Sequence, residues 1–260
     1  MLLAIDIGNT NITLGVFQGE SLKATWRLAT EPRTQPDEYG LTLNLMLPTK
    51  GIALDAIEAV AMCSVVPPLM PVFEEVCRGY LHLEPLVVGA GTKTGVRVLY
   101  ENPRDVGTDR IVDTVGAYHL YGGPTIVVDF GTATVFDAIS RDGDYLGGAI
   151  APGLNLASET LYLSTSQLRR VELVRPKAAI GKNTVSALQS GLIFGYVSLV
   201  EGMVRRFREE LDGEAKVVAT GGQAHLIARE TPLIDVVNPD LTLIGLRLVH
   251  EMNRTPQEGG

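Results

Sequence analysis

The chain opens with a short apolar segment that ends in a polar turn. Residues 2–5 are all apolar, and Asp-Ile-Gly-Asn-Thr-Asn follows at positions 6–11. An alternating segment begins at Ile12, so the stretch predicts a β-hairpin. Its turn is rich in hydroxyl and amide groups, and Gly8 allows close approach of the backbone to a ligand. These residues alone are equally compatible with an ordinary polar turn and with a phosphate-binding turn.

The same pattern occurs again near the middle of the chain. Apolar residues 126–128 precede Asp129-Phe130-Gly131-Thr132-Ala133-Thr134, and a second apolar segment follows. Asp129 lies 123 residues after Asp6, close to half of the 260-residue chain. A period this long does not belong to a solenoid, so it predicts two related domains. We place them at residues 1–117 and 118–260.

The remaining pattern alternates between strands and helices. The predicted helices begin at Pro36 and Pro67 and cover residues 111–121, roughly 184–211, and 241–252. Strands precede and separate these helices in both halves, which predicts an α/β fold with helices covering each sheet. Residues 89–110 are expected to be irregular, and the tail from Arg254 to Gly260 to be disordered. Gly191 and Gly195 have GxxxG spacing, which favours close helix packing, within the chain or at a subunit interface.

Composition limits the partners and the location. The net charge of −8 provides no basic surface for nucleic acid or an anionic membrane. Cys63 and Cys77 are the only cysteines, so we expect two small buried residues rather than a disulfide framework. The longest apolar segments are of strand length, so no transmembrane helix is expected. The expectation is a cytoplasmic protein without nucleic-acid or membrane partners.

Five sequence strings, taken in order, resemble the type III pantothenate kinase family. They are Asp6-Ile7-Gly8-Asn9-Thr10-Asn11, Gly107-Thr108-Asp109-Arg110, Asp129-Phe130-Gly131-Thr132-Ala133-Thr134, Gly147-Gly148-Ala149-Ile150-Ala151-Pro152-Gly153 and Gly181-Lys182-Asn183-Thr184. The two Asp-x-Gly turns and Gly221-Gly222 also resemble the wider superfamily of acetate and sugar kinases, Hsp70 and actin. The resemblance implies an α/β fold of two duplicated ribonuclease H-like (actin-like ATPase) domains with a central nucleotide cleft.

The resemblance also implies a reaction. The γ-phosphate of ATP would be transferred to the primary hydroxyl of pantothenate, giving 4′-phosphopantothenate in the first step of coenzyme A biosynthesis. Phosphoryl transfer depends on positioning and charge neutralisation more than on covalent catalysis. The implied cofactors are ATP with Mg²⁺ and a monovalent cation, K⁺ or NH₄⁺, and the implied assembly is a homodimer.

The nucleotide site implied by the resemblance lies mainly on the first hairpin. Asp6 would also organise Mg²⁺ through water, Asp129 would bind the monovalent cation, and Gly221-Gly222 would let the backbone lie against adenine or ribose. The implied ATP-binding residues are Asp6, Ile7, Gly8, Asn9, Thr10, Asn11, Ile12, Thr13 and Thr132.

The implied substrate site centres on Asp109, which would accept the proton of the attacking hydroxyl as general base. Arg110 would bind the pantothenate carboxylate in a bidentate geometry. Without the resemblance, this pair is an ordinary helix-start acid beside a surface arginine. Asp113 is either a supporting acid or a plain helix carboxylate. The implied substrate-binding residues are Tyr100, Gly107, Thr108, Asp109, Arg110 and Thr184.

Two alternatives come from other functional classes. A non-catalytic nucleotide-binding regulatory protein could keep the fold while losing Asp109, Arg110 or Asp129, yet all three are present. An actin- or Hsp70-like ATPase would use water as the acceptor. The small size of the chain and the Gly107–Arg110 loop argue against that ATPase.

Overall fold

The structure is a computed structural model that describes residues 1–211 and 213–254. In this part of the chain, the strands form two five-stranded sheets. Residues 255–260 of the predicted disordered tail lie outside the described residues. The strands are β1 (Leu2–Ile7), β2 (Asn11–Gln18), β3 (Ser21–Ala29), β4 (Ala59–Ser64), β5 (Leu86–Val87), β6 (Thr125–Phe130), β7 (Ala133–Ile139), β8 (Tyr145–Pro152), β9 (Lys216–Thr220) and β10 (Val236–Val237).

Helices separate the strands in both halves, as the hydrophobic pattern predicts. They are α1 (Pro36–Met46), α2 (Leu69–Val76), α3 (Thr108–Tyr121), α4 (Leu154–Leu163), α5 (Thr184–Glu210), α6 (Ala224–Ala228) and α7 (Leu241–Asn253). The predicted start of α3 at Ile111 is wrong, because the backbone N–H groups of Arg110 and Ile111 both donate to the Gly107 carbonyl, at 3.1 and 3.4 Å. The first turn of α3 therefore precedes its apolar periodicity and contains Asp109 and Arg110.

The two sheets have the same topology. The first has the order β3-β2-β1-β4-β5, and the second, read in the same sense, β8-β7-β6-β9-β10. In each sheet, three antiparallel strands in sequence are followed by two that run parallel to the first. Asp6 and Asp129 occupy the penultimate positions of the equivalent strands β1 and β6. The α/β fold class is confirmed, and the repeated strand order agrees with duplicated domains.

Both faces of β1 are buried, which explains its uninterrupted apolar sequence. Leu3, Ile5 and Ile7 point to the face packed against α1 and α2. Leu2 and Ala4 point to the opposite face, against α3 and α7. Because side chains alternate along a strand, Asp6 shares the α3 and α7 face.

In the second sheet, one face of β6 packs against α5. Ile126, Val128 and Phe130 contribute to this core. α5 is the one helix of the described residues long and apolar enough to cross a membrane by length and composition, a test that core helices also pass. Its buried residues are Ser190, Leu192, Ile193, Tyr196, Val197, Val200 and Val204.

The GxxxG pair of α5 lies on its exposed side. Among the described residues, no atom outside the adjoining helix backbone lies within 4 Å of a methyl group added at Gly191 or Gly195. The expectation of close packing at these glycines within the chain is therefore wrong, since only the opposite side of α5 faces the core.

Contacts divide the chain into two compact units. The first contains residues 1–96, 101–116 and the segment from Leu241 onwards, and the second contains residues 97–100 and 117–240. Helix α7 packs on the first unit, where a methyl group at Gly245 would lie only 2.1 Å from the Val112 carbonyl oxygen. Contact units and duplicated domains are different divisions of a chain, so the boundary between residues 117 and 118 stays a prediction.

Candidate active site

The turn of the first hairpin is held in place by the residue that follows β3. The Gly8 N–H donates to the Asn11 carbonyl at 3.0 Å, which closes the turn. The Thr30 hydroxyl donates to the Gly8 carbonyl at 2.6 Å, and the Thr30 N–H donates to the Thr10 carbonyl at 3.0 Å. Asn9 lies exposed at the tip of the turn. The turn is thus fixed in shape and presents its outer surface to solvent.

Asp6 lies at the carboxyl end of β1, beside Cys63 of the parallel strand β4. The Cys63 thiol donates to Asp6 Oδ1 at 3.5 Å. The pKa of Asp6 is raised from 3.8 to about 7, mainly by burial and to a smaller extent by the Asp109 carboxylate, while the thiol hydrogen bond opposes the shift. A cation bound at Asp6 would favour its ionised form.

Asp109 lies in the first turn of α3, and its carboxylate is held by local contacts. Oδ1 accepts a hydrogen bond from the Arg110 N–H at 2.8 Å. The Thr108 hydroxyl donates to the Ser64 carbonyl at 3.2 Å, which ties the start of α3 to the end of β4. A methyl group at Gly107 would lie 2.5 Å from Asp109 Oδ1, so a larger residue would have to displace the carboxylate from this position.

The protonation of Asp109 reflects opposing effects. Burial raises the pKa of this carboxyl above its usual value, while the Arg110 N–H and the Arg110 charge act in the opposite direction. Burial also raises the pKa of the nearby Cys63 thiol far above its usual range, and Asp6, Asp109 and Asp113 reinforce that shift. Cys63 therefore remains a neutral thiol.

Asp113 accepts a hydrogen bond from the Thr242 hydroxyl of α7 at 2.6 Å and is 5% exposed. This contact ties α7 to the helix that carries Asp109. Within the described ranges, no three His, Cys, Asp or Glu side chains are arranged to hold a metal ion. A divalent ion beside Asp6 would thus take most of its oxygen ligands from water and phosphate.

The second hairpin has a shorter turn. The Gly131 N–H donates to the Ala133 carbonyl at 3.0 Å, and the Thr132 carbonyl accepts from the Gly153 N–H at 3.1 Å, just before α4. A methyl group at Gly221 would lie 2.3 Å from Asp129 Oδ1, and Gly221 has a φ of +86°. Glycine is therefore required at position 221 both for the backbone and for the Asp129 carboxylate.

Tyr100 and Thr184, the other predicted substrate residues, lie on separate elements of the second unit. The Tyr100 ring centroid is 6.2 Å from that of Tyr145, the first residue of β8. Thr184 is the exposed first residue of α5, where the Asn183 side chain accepts from the Ser186 N–H at 2.9 Å. The capping box thus fixes the helix start at Thr184.

Several predicted site residues are therefore close in space within each unit. In the first unit, Asp6 and Gly107–Arg110 meet at the ends of β1 and β4 and the start of α3. In the second, Asp129 and Thr132 share the β6–β7 hairpin. Sequence reasoning did not identify the contact of Cys63 with Asp6, although Cys63 lies in the apolar segment that forms β4. A parallel pairing of that strand with β1 would have indicated it.

Comparison with known proteins decides the family. The family model described as type III pantothenate kinase matches residues 2–206. A type III pantothenate kinase from Moorella thermoacetica is 54% identical over 253 residues, covering 97% of this chain and 100% of the relative. The chain belongs to the type III pantothenate kinase family. Its activity is ATP-dependent phosphorylation of pantothenate, as the resemblance implied, and the non-catalytic alternative has no support.

Solved structures agree on the fold. A Baf family transcriptional activator from Campylobacter jejuni superposes with a TM-score of 0.62 at 19% identity, over 96% of this chain and 98% of that one. A 2-dehydro-3-deoxygalactonokinase from Sinorhizobium meliloti superposes with a TM-score of 0.62 at 13% identity. The match covers 100% of this chain and 99% of that one. At these identities the likeness establishes the fold alone, and this fold is that of the sugar kinases and actin-like ATPases.

Proposed function

We propose that Asp109 is the general base that accepts the proton of the primary hydroxyl of pantothenate. The observation that supports this role is the environment of its carboxyl, which is desolvated, lies near Asp6 and is fixed over Gly107. A carboxylate with a raised pKa is a stronger proton acceptor near neutral pH. Arg110, next in the first turn of α3, binds the carboxylate of pantothenate, and Gly107 and Thr108 complete this part of the site.

The first hairpin, from Asp6 to Thr13, binds the phosphates of ATP. Two observations support this role of the hairpin: Thr30 holds the turn in place, and the residues at the tip of the turn are exposed. Asp6 would hold Mg²⁺ through water, and a cation there would favour the ionised form of Asp6. When bound, the ion would supply neutralisation of the charge on the phosphates.

The second unit contributes the remaining contacts. Thr132 binds ATP, and Asp129 binds a monovalent cation, K⁺ or NH₄⁺, with its carboxylate position set by Gly221. Tyr100 and Thr184 line the substrate site. Hard oxygen ligands suit such a cation.

The enzyme acts as a homodimer in the cytoplasm. Support for the dimer comes from apolar side chains of the second unit that are exposed in the single chain, namely Leu163 (69%), Ile180 (83%) and Val185 (49%). Leu163 ends α4 and Val185 lies in the first turn of α5, the helix with the exposed Gly191 and Gly195. Buried, unpaired Cys63 and Cys77 fit a reducing compartment. A monomeric mass in solution would exclude the dimer.

One coupled assay tests these roles together. ADP release is measured with and without pantothenate, in K⁺, NH₄⁺ and Na⁺. We expect release that requires pantothenate and falls when Na⁺ replaces K⁺. Equal rates in all three ions would remove the cation role of Asp129, and release without pantothenate would show water as acceptor.

A further inference from the structure

Residues Arg97–Tyr100 form a short strap that belongs to the second unit, although the residues on both sides, 96 and 101, belong to the first. The strap pairs with the first residue of β8. The Leu99 N–H donates to the Tyr145 carbonyl at 2.8 Å, and the Tyr145 N–H donates to the Arg97 carbonyl at 2.9 Å. Val98 thus forms a parallel bridge with Tyr145. The strap is thus joined to β8, the outer strand of the second sheet, by a single bridge.

Tyr145, the residue with which the strap pairs, is held firmly in the second unit. The Tyr145 side chain is fully buried, and its hydroxyl donates to Asp137 Oδ1 at 3.0 Å inside the second unit. Asp137 is itself only 2% exposed. Pairing with Tyr145 therefore restrains the position of the strap backbone.

Two main-chain hydrogen bonds are few for holding a segment, and a charged pair adds to them. Arg97 Nε lies 2.8 Å from Asp144 Oδ1, and Arg97 Nη2 lies 2.6 Å from Asp144 Oδ2. This is the bidentate arrangement that a guanidinium makes and an ammonium cannot. The Arg97 side chain is 74% exposed and that of Asp144 only 10%. An exposed arginine contributes little to overall stability, but a bidentate pair restricts the direction of the backbone that carries it.

The restricted backbone leads directly to Tyr100. Its ring lies beside Tyr145 and over Gly147, where an added methyl group would lie 3.6 Å from the ring. Gly147 has a φ of +130°, a backbone conformation that favours glycine. Tyr100 remains 38% exposed and therefore available to a ligand.

We propose that the Arg97–Asp144 pair positions Tyr100 for pantothenate binding, by fixing the strap to the edge of the second sheet. The inference rests on the proposed contact of Tyr100 with the substrate. Arg97 and Asp144 act through Tyr100 and touch no reacting atom.

The test compares the KM values for pantothenate and ATP in Arg97→Gln, Asp144→Asn and the double variant. We expect each single variant to raise the KM for pantothenate roughly tenfold, with the KM for ATP unchanged. The double variant should be no worse than either single one, because both remove the same pair. Arg97→Lys keeps the charge but cannot make the bidentate contact. Its KM for pantothenate should therefore lie between those of wild type and Arg97→Gln. Arg78→Gln is the control, since Arg78 makes a comparable exposed pair with Glu84 at 2.8 Å.

Hydrogen exchange supplies the readout of the strap itself. The Leu99 amide should exchange faster in Arg97→Gln than in wild type. Its exchange rate should be unchanged in Arg78→Gln. Faster exchange with an unchanged KM for pantothenate would overturn the inference, as would an equal rise in both KM values. Tyr100→Ala separates the two proposals. If Tyr100→Ala leaves the KM for pantothenate unchanged, the substrate role of Tyr100 is wrong, whereas if only the Arg97 and Asp144 variants lack an effect, the positioning role alone is wrong.

Discussion

The two Asp-x-Gly hairpins have the same place in two sheets of identical strand order, yet their aspartates have different surroundings. Asp6 lies opposite Cys63 and near the carboxylate of Asp109. Asp129 lies opposite Thr220, with its carboxylate against Gly221. The first turn also has one residue more, since four residues separate the pair Ile7 and Ile12 and three separate Phe130 and Thr134.

This difference shows that the repeated topology preserved the position of a carboxylate, while the neighbouring segments determined its chemistry. In the first unit a helix N-terminus places a second acid nearby, so burial and like charge both act on Asp6. In the second unit the corresponding space is limited by a glycine backbone. We therefore expect the first hairpin to be the more sensitive to changes of charge and the second to changes of volume.

The largest expected effect is that of Asp109→Asn. Turnover should fall by roughly two to four orders of magnitude, because the amide cannot accept the hydroxyl proton. Stability should be equal or higher, since a desolvated carboxyl is removed. Steady-state kinetics and thermal unfolding measure both quantities, with Asp105→Asn, an exposed acid just before α3, as control. Turnover near that of wild type would exclude Asp109 as the base.

Gly221→Ala tests the sensitivity of the second hairpin to volume. The added methyl group would clash with Asp129 Oδ1 in a backbone of positive φ, so the free energy of unfolding should fall by about 1–3 kcal/mol. Activation by K⁺ should also weaken in Gly221→Ala, because Asp129 is the proposed ligand of this cation. The matched control is Gly222→Ala, where an added methyl group meets no atom of the described residues within 4 Å. Equal losses in urea-induced unfolding of the two variants would contradict the steric argument.

A smaller effect is expected in the pH dependence of stability. The pKa of Asp6 is raised from 3.8 to about 7 in the folded protein, so the folded state binds more protons than the unfolded state between these values. The stability of the ligand-free protein should therefore decrease as the pH rises from about 4 to about 7, and Asp109, whose pKa is also raised, acts in the same direction.

Asp6→Asn should reduce this slope, and urea unfolding at pH 5 and pH 7 in the presence of a chelator measures it. The Asp105→Asn variant should retain the wild-type slope. An unchanged slope in Asp6→Asn would show that Asp6 titrates at its ordinary value.

Much of the fold could be predicted from local pattern. The apolar strand before Asp6, its repeat before Asp129, and the long periodicity over 184–211 all correspond to observed elements. The start of α3 could not be placed, because Asp109 and Arg110 precede the apolar periodicity of the helix. The expectation that Gly191 and Gly195 pack closely within the chain was wrong for a related reason, since glycine spacing identifies a possible contact face without showing what lies against it; their packing at a subunit interface stays a prediction.

The sequence by itself determined the fold class, the family and the identity of the candidate residues, because short motifs fix which chemical groups occur in which order. Tertiary structure decided which of these groups become neighbours. Parallel pairing of β1 with β4 brings Cys63 to Asp6, and the first turn of α3 places Asp109 near the same carboxylate. In the second unit, the backbone of Gly221 lies against the Asp129 carboxylate. Each of these contacts joins residues far apart in sequence, and pKa values depend on such neighbours and on burial, which local pattern does not encode.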